Sequence, residues 1–214
     1  QSFGGDAALE EAFYALLTEE QIAALEAYIQ EQEEQALEAE YPAIPAQSAT
    51  DEANGVTVTV SAPAGAFPAG TELSIQLVQT PNPLTRMFTQ DQKAMVDEAV
   101  AEALAEEPAE PQQSVAFDIT FRLDGAEVQP REGYTVSVTF DVESASALLD
   151  GADQLQVFHV DGDAVAEAVG EAVAVDPEAD TQQIAVEAEQ FSIYALTAAV
   201  TPRASYEVDL TDLN

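Results

Sequence analysis

From Gly55 onward, hydrophobic and polar residues alternate, and this alternation constrains the fold more than any other feature of the chain. In "GVTVTVSA" each valine is followed by threonine or serine, and "TELSIQLV" and "YTVSVTFDV" repeat the alternation. Because successive side chains of a strand point to opposite faces, each segment is predicted to be a half-buried strand. Gly, Pro and Asp-Gly turns separate the segments. The prediction for residues 55–200 is a mostly antiparallel β-sandwich domain.

Residues 1–40 follow a helical period instead. The apolar positions of a first helix are Leu9, Phe13, Leu16 and Leu17, and those of a second helix are Ile22, Leu25, Ile29 and Ala36. This spacing puts each set on one helix face. Between the two sets, Thr18 and Gln21 have the spacing of a capping box. An N-terminal helical hairpin or bent helix is therefore predicted, and the fold class is α+β.

Two further segments interrupt the strand pattern. Residues 41–54 contain prolines and small polar residues, so they are predicted to form a linker. A helical stripe predicts a helix inserted near residues 90–106, with Thr89 and Gln92 at capping-box spacing. Residues 201–214 are predicted to be an exposed tail or a linker to a next module.

The composition excludes several classes of function. The 214 residues include 41 acidic residues against 5 Lys and Arg, which gives a formal net charge of −36. Nucleic acid is not expected as a partner, because phosphate binding needs clustered Lys and Arg. The absence of Cys excludes disulfides and thiol chemistry. No apolar run approaches the roughly 20 residues of a membrane span, so no membrane insertion is expected in this segment. The balance of charge is typical of an acidic secreted protein.

The turn after the first predicted strand carries a recognisable pattern. It runs through Pro63, Gly65, Phe67, Pro68, Gly70 and Thr71. Prolines fix φ, glycines supply unusual dihedrals, and the phenylalanine is expected to plug one end of the sandwich. The segment resembles the opening of the β-sandwich domain named after zonula occludens proteins and netrin receptors, which is also found in ankyrins. With its helical start and its closing "FSIYAL", the chain over about residues 8–198 resembles modular surface proteins of Gram-positive gut bacteria.

This resemblance implies an extracellular location, with attachment to the bacterial cell wall in the full-length protein. It implies a non-catalytic module that acts as a spacer or as an adhesin towards host material. A host extracellular protein or glycan would be the partner, and no cofactor is expected.

Some members of the zonula-occludens-type family cut their own chain at His-Phe-Ser, and this chain has Gln190, Phe191 and Ser192 there. Glutamine cannot act as a general base, and a serine without an activating neighbour is a weak nucleophile. The expectation is therefore that no residue is catalytic and that the chain is not an enzyme. Phe191 is expected to belong to the core of the last strand.

The remaining polar candidates have simpler interpretations. His159 is the only histidine and alternates with apolar neighbours, so it is expected to face outward on a strand. A single His makes neither a zinc site nor a triad. Asp161 and Asp163 flank a glycine, which indicates a hairpin turn before it indicates a calcium site. No metal is expected.

An alternative function comes from the helical segment. "AFY" and "LTEEQ" also occur in the immunoglobulin-binding helical repeat of the staphylococcal surface protein, although the loop residues between these pieces are missing here. On this hypothesis, the chain binds a specific host protein such as immunoglobulin through Phe13, Tyr14 and Tyr28. A spacer should bury its apolar helix stripe, whereas a binder should leave an apolar patch exposed. The first is preferred, because the stripes on the two helices are narrow enough to cover each other.

Overall fold

The computed structural model describes residues 17–79, 91–105 and 110–200. Two antiparallel sheets follow an N-terminal helix, and a second helix is inserted between strands. The helices are α1 (Glu19–Glu40) and α2 (Gln92–Ala105), with a short 3-10 helix at Ala147–Leu149. The strands are β1 (Ile44–Asp51), β2 (Val56–Ala62), β3 (Glu72–Leu77), β4 (Glu110–Leu123), β5 (Ala126–Val128), β6 (Val136–Glu143), β7 (Gln154–Val160), β8 (Ala166–Ala174), β9 (Thr181–Ala188) and β10 (Ile193–Val200). The predicted α+β class is confirmed.

The two sheets form the predicted sandwich. The first sheet has the order β1-β2-β6-β9, and the second has the order β3-β4-β10-β7-β8, with β5 paired to the end of β4. The strand pairs described are antiparallel. Apolar side chains from both sheets form one core; its fully buried members include Val58, Phe117, Ile119, Phe121, Val138, Phe140 and Leu196. Alternation in β2 follows the expected pattern, since its valines are buried and its threonines are partly exposed.

Helix α1 begins at the predicted capping box. The hydroxyl of Thr18 accepts from the backbone N–H of Gln21 at 3.3 Å, and Oε1 of Gln21 accepts from the N–H of Thr18 at 3.0 Å. The first helix of the predicted hairpin, with Phe13 and Tyr14, lies outside the described residues. Of that hairpin, the structure therefore describes the second helix.

The prediction of a linker over residues 41–54 was wrong. Most of this segment is β1, which pairs with β2 along the edge of the first sheet. An edge strand with exposed side chains needs few apolar residues and tolerates proline, so it carries little of the alternation that marks a buried strand. The sandwich therefore begins near Ile44 and not at Gly55.

A short joint fixes α1 to the sandwich. The backbone N–H of Gly65 donates to the carbonyl of Tyr41 at 2.8 Å, and that of Ala69 donates to Glu40 at 2.8 Å. The guanidinium of Arg131 lies 4.2 Å from the ring centroid of Tyr41. Helix and sandwich are therefore joined by direct contacts.

Helix α2 covers the outer face of the second sheet. Val96, Val100 and Leu104 are buried there in a cluster with residues of β7 and β10. The predicted cap Thr89 lies outside the described residues; Asp91 accepts from the N–H of Ala94 at 3.2 Å instead. As a result, β7 and β10 are covered on both faces, by the first sheet on one side and by α2 on the other.

Candidate functional site

The candidate site lies where the chain enters β10, the central strand of the second sheet. β10 pairs with β4 on one side and with β7 on the other. In the β7 pairing, Ile193 is opposite Val160 and Tyr194 is opposite His159. This register brings the only histidine beside Ser192, which precedes the strand.

Ser192 has a potential base after all. Its Oγ lies 2.9 Å from Nε2 of His159, and it also lies within hydrogen-bond distance, 2.6 Å, of the carbonyl oxygen of Val160. The hydroxyl has one proton, so it donates to Val160 when Nε2 is protonated and is able to donate to Nε2 when that nitrogen is not. The expectation that Ser192 has no activating neighbour was wrong. The residue two positions earlier in sequence is Gln190, but strand pairing supplies an imidazole from 33 residues away.

The prediction that His159 faces outward was also wrong. Its side chain is half-buried, and its ring centroid lies 5.2 Å from that of Tyr194. Local alternation could not show this, because both faces of β7 are covered. Burial lowers the pKa of His159 below its ordinary value, while the carboxylates of Asp161 and Glu167 partly oppose this effect. The imidazole is therefore mainly neutral at pH 7, which is the form that accepts a proton.

Gln129 clamps the residue before the serine. Oε1 of Gln129 accepts from the backbone N–H of Phe191 at 2.7 Å, and Nε2 donates to the carbonyl oxygen of Phe191 at 3.0 Å. On the other side of the peptide bond, the N–H of Ile119 donates to the carbonyl of Ser192 at 2.8 Å. Backbone groups on both sides of the Phe191–Ser192 bond are thus hydrogen-bonded, to Gln129 just after β5 on one side and to Ile119 of β4 on the other. Sequence reasoning missed Gln129, and no local pattern marks it.

The aromatic residues around this bond are packed as predicted. Phe191 is buried, with an exposed fraction of 6 %, and its ring meets that of Phe121 edge-on at a centroid distance of 4.8 Å. Burial raises the pKa of Tyr194 well above its ordinary value, so the hydroxyl stays protonated and donates to the carbonyl of Gln190 at 2.6 Å. The expectation that Phe191 belongs to the core is confirmed.

An open pocket of about 300 Å³ reaches His159. It lies between the edges of the two sheets, β8 and β9, and its lining includes the carboxylates of Glu167, Glu187 and Glu189. A pocket of this size with polar walls admits water. The arrangement therefore combines a serine hydroxyl, a neutral imidazole, a fixed peptide carbonyl and solvent access.

Comparisons with models of known protein families, with curated proteins and with solved structures found no match.

The other predicted candidates do not join this site. Phe13 and Tyr14 lie outside the described residues. Tyr28 is on α1 and has an exposed fraction of 59 %. Asp161 organises the hairpin turn, because its Oδ1 accepts from the N–H groups of Asp163 and Val165, each at 2.9 Å.

Within residues 17–79, 91–105 and 110–200, no group of three or more His, Asp or Glu side chains is arranged to hold a metal ion. Neither of the two α-helices in those ranges is long and apolar enough to cross a lipid bilayer.

Proposed function

We propose that the chain is a module of an extracellular bacterial surface protein, and that its sandwich cleaves its own backbone once, between Phe191 and Ser192. The observation that carries the proposal is the 2.9 Å distance between Ser192 Oγ and His159 Nε2. The reaction acts on the chain itself and not on an external substrate. The proposal departs from the sequence-based expectation that no residue is catalytic, because it gives Ser192 and His159 a chemical role.

The first step is an acyl shift from nitrogen to oxygen. His159 takes the proton from Ser192 Oγ, which attacks the carbonyl carbon of Phe191 to form a five-membered ring. The C–N bond then breaks, and the protonated imidazole returns a proton to the departing amine of Ser192. The product of this step is an ester between the Phe191 carbonyl and Ser192 Oγ.

The second step is hydrolysis of that ester. Water attacks the ester carbonyl, and the neutral imidazole of His159, which lines the open pocket, again accepts a proton. The C–O bond breaks and the proton goes to Ser192 Oγ. Residues 1–191 then end in a carboxylate, and residues 192–214 begin with the free amine of Ser192.

Intact mass spectrometry under denaturing conditions tests this proposal. After prolonged incubation at pH 7, the chain should yield fragments 1–191 and 192–214, whereas Ser192→Ala should remain whole. A chain that stays whole at every pH from 5 to 9 would contradict self-cleavage. Fragments that appear equally in Ser192→Ala would point to a contaminating protease.

The second candidate is the non-catalytic module that the resemblance implies, a spacer or an adhesin towards host material. The specific observation in its favour is the joint at Tyr41 and Arg131, which ties the C-terminal end of α1 to the sandwich. The net charge of −36 keeps such modules soluble and apart. Wall attachment and a host protein or glycan partner remain part of this proposal.

Exposure on α1 favours the alternative of a specific host-protein binder such as an immunoglobulin binder. Tyr28, Ile29 and Leu37 are exposed large hydrophobic residues on this helix. A pull-down from mucosal secretions with the whole chain tests it. A helical binding face is supported if Tyr28→Ala abolishes capture. Val165→Ala, at an exposed position of the sandwich, should leave capture intact. Capture that both variants retain would contradict it.

A further inference from the structure

We propose that Gln129 is a catalytic residue of the self-cleavage, whose side-chain amide stabilises the negative charge that develops on the carbonyl oxygen of Phe191. This inference rests on the proposed function. It adds an electrostatic component to a site that otherwise consists of a nucleophile and a base.

The distance fits this role. When Ser192 Oγ attacks, the carbonyl carbon of Phe191 becomes tetrahedral and its oxygen takes the negative charge. Nε2 of Gln129 lies 3.0 Å from this oxygen, within the range of donors that stabilise such oxyanions.

The other end of the same side chain fixes which atom points at the carbonyl. Oε1 of Gln129 accepts from the N–H of Phe191 at 2.7 Å. A flipped amide would place an NH₂ group against the backbone N–H and an oxygen against the carbonyl oxygen, so both contacts would become repulsive. The donor is therefore directed at the reacting oxygen by the hydrogen-bond pattern itself.

The backbone on both sides of Gln129 is anchored. Just before it, β5 pairs with the end of β4, and Val128 packs against the core. Just after it, the N–H of Arg131 donates to the carbonyl of Ala66 at 3.0 Å. The donor is thus held in place before the reaction begins, as electrostatic stabilisation requires.

A second glutamine makes the same kind of contacts away from Ser192 and His159. Gln129 itself is exposed. Gln182 makes the same pair of contacts to the backbone of Asp176, at 3.0 and 2.6 Å, but it is buried and lies near the start of β9, after the turn that contains Asp176. The chain therefore contains a matched control for Gln129.

The test compares Gln129→Glu with Gln182→Glu in the full chain by timed intact mass measurements. Glutamate keeps the acceptor for the backbone N–H but replaces the donor by a carboxylate. Cleavage in Gln129→Glu should slow by about 10²–10³-fold, as expected for loss of one oxyanion donor. Gln182→Glu should destabilise the fold, because it buries a charge, and yet cleave at the wild-type rate. Circular dichroism confirms that each variant is folded.

A pH series distinguishes a catalytic from a structural role, because the ratio of the two cleavage rates would not change with pH if Gln129 were only structural. At low pH the glutamate at position 129 becomes protonated and again has a proton to donate. The ratio of wild-type to Gln129→Glu rates should therefore shrink as pH falls, while protonation of His159 affects both rates and cancels. Gln129→Met, which removes the donor without adding charge, should be slow at every pH.

The outcomes distinguish the two proposals. If the wild-type chain cleaves and Gln129→Glu cleaves equally fast, Gln129 is not catalytic although self-cleavage stands. Equal slowing in Gln129→Glu and Gln182→Glu would also overturn the role, because the effect would follow stability. If the wild-type chain does not cleave at all, self-cleavage and the role of Gln129 both fall.

Discussion

Two glutamines hold backbone in the same way in two regions of this sandwich, but their surroundings differ. Gln182 is buried and closes the turn at Asp176, where its two hydrogen bonds stabilise the connection between β8 and β9, which lie in different sheets. Gln129 is exposed and clamps Phe191 next to Ser192 and His159. A hydrogen-bond pattern alone therefore does not define a reactive site. What distinguishes the Phe191 region is a hydroxyl and a neutral imidazole beside the clamped carbonyl.

The largest expected effect is on the cleavage rate, when the base beside the Phe191–Ser192 bond is removed. His159→Gln should reduce the cleavage rate by about 10²–10⁴-fold, because general base catalysis contributes that much. Timed intact mass spectra measure the rate. Gln183→Ala, at an exposed position of β9, serves as the control and should cleave normally. If the His159→Gln chain cleaves at the wild-type rate, His159 is not the base, and no catalytic imidazole distinguishes the Phe191 region from the Asp176 region.

The next effect concerns packing and should also differ between the regions. Phe191→Ala, made in a Ser192→Ala chain so that it stays whole, should lower the free energy of unfolding by about 3–5 kcal/mol. Val175→Ala, next to the Asp176 backbone that Gln182 holds, should lower the free energy of unfolding by less, since Val175 is only partly buried and the change removes fewer atoms. Urea denaturation measures both. Equal losses would show that Phe191 is not a central core residue.

The smallest effect is on the pH dependence of the site. Burial lowers the pKa of His159, so the unfolded chain binds a proton at a higher pH than the folded chain. The stability from a neutral imidazole is fully present above pH 6.5, the ordinary value, and is lost as pH falls through the folded pKa. The cleavage rate should accordingly reach half its plateau below pH 6.5. A half-maximum above pH 6.5 would contradict a buried, neutral base.

Sequence patterns predicted those parts of the structure that depend on local burial. β2 and β6 alternate buried with partly exposed positions, and β9 alternates buried with exposed ones, so their period of two was visible in the sequence. β1 was missed because an edge strand with exposed side chains has no such requirement. The helix start at Thr18 was predictable, since a capping box involves residues three apart.

The candidate site could not be predicted in the same way. His159 and Ser192 were each assigned to the strand region, but their contact depends on β7 pairing with β10, which no local pattern specifies. Inspection of residue 190 alone gave a glutamine and suggested that no base was present. Gln129 reaches Phe191 across 62 residues of sequence. Listing histidines at all distances from Phe-Ser, and not only adjacent ones, would have raised His159 as a candidate.

The most direct test of the account is the chemical nature of the bond at Phe191 during cleavage. Incubation with hydroxylamine should capture the proposed ester and give fragment 1–191 with a hydroxamate on Phe191, identified by mass. The yield should depend on Ser192 and fall strongly in His159→Gln. A fragment that carries only a carboxylate whatever the hydroxylamine concentration, or a hydroxamate that forms equally in Ser192→Ala, would contradict an ester formed by Ser192.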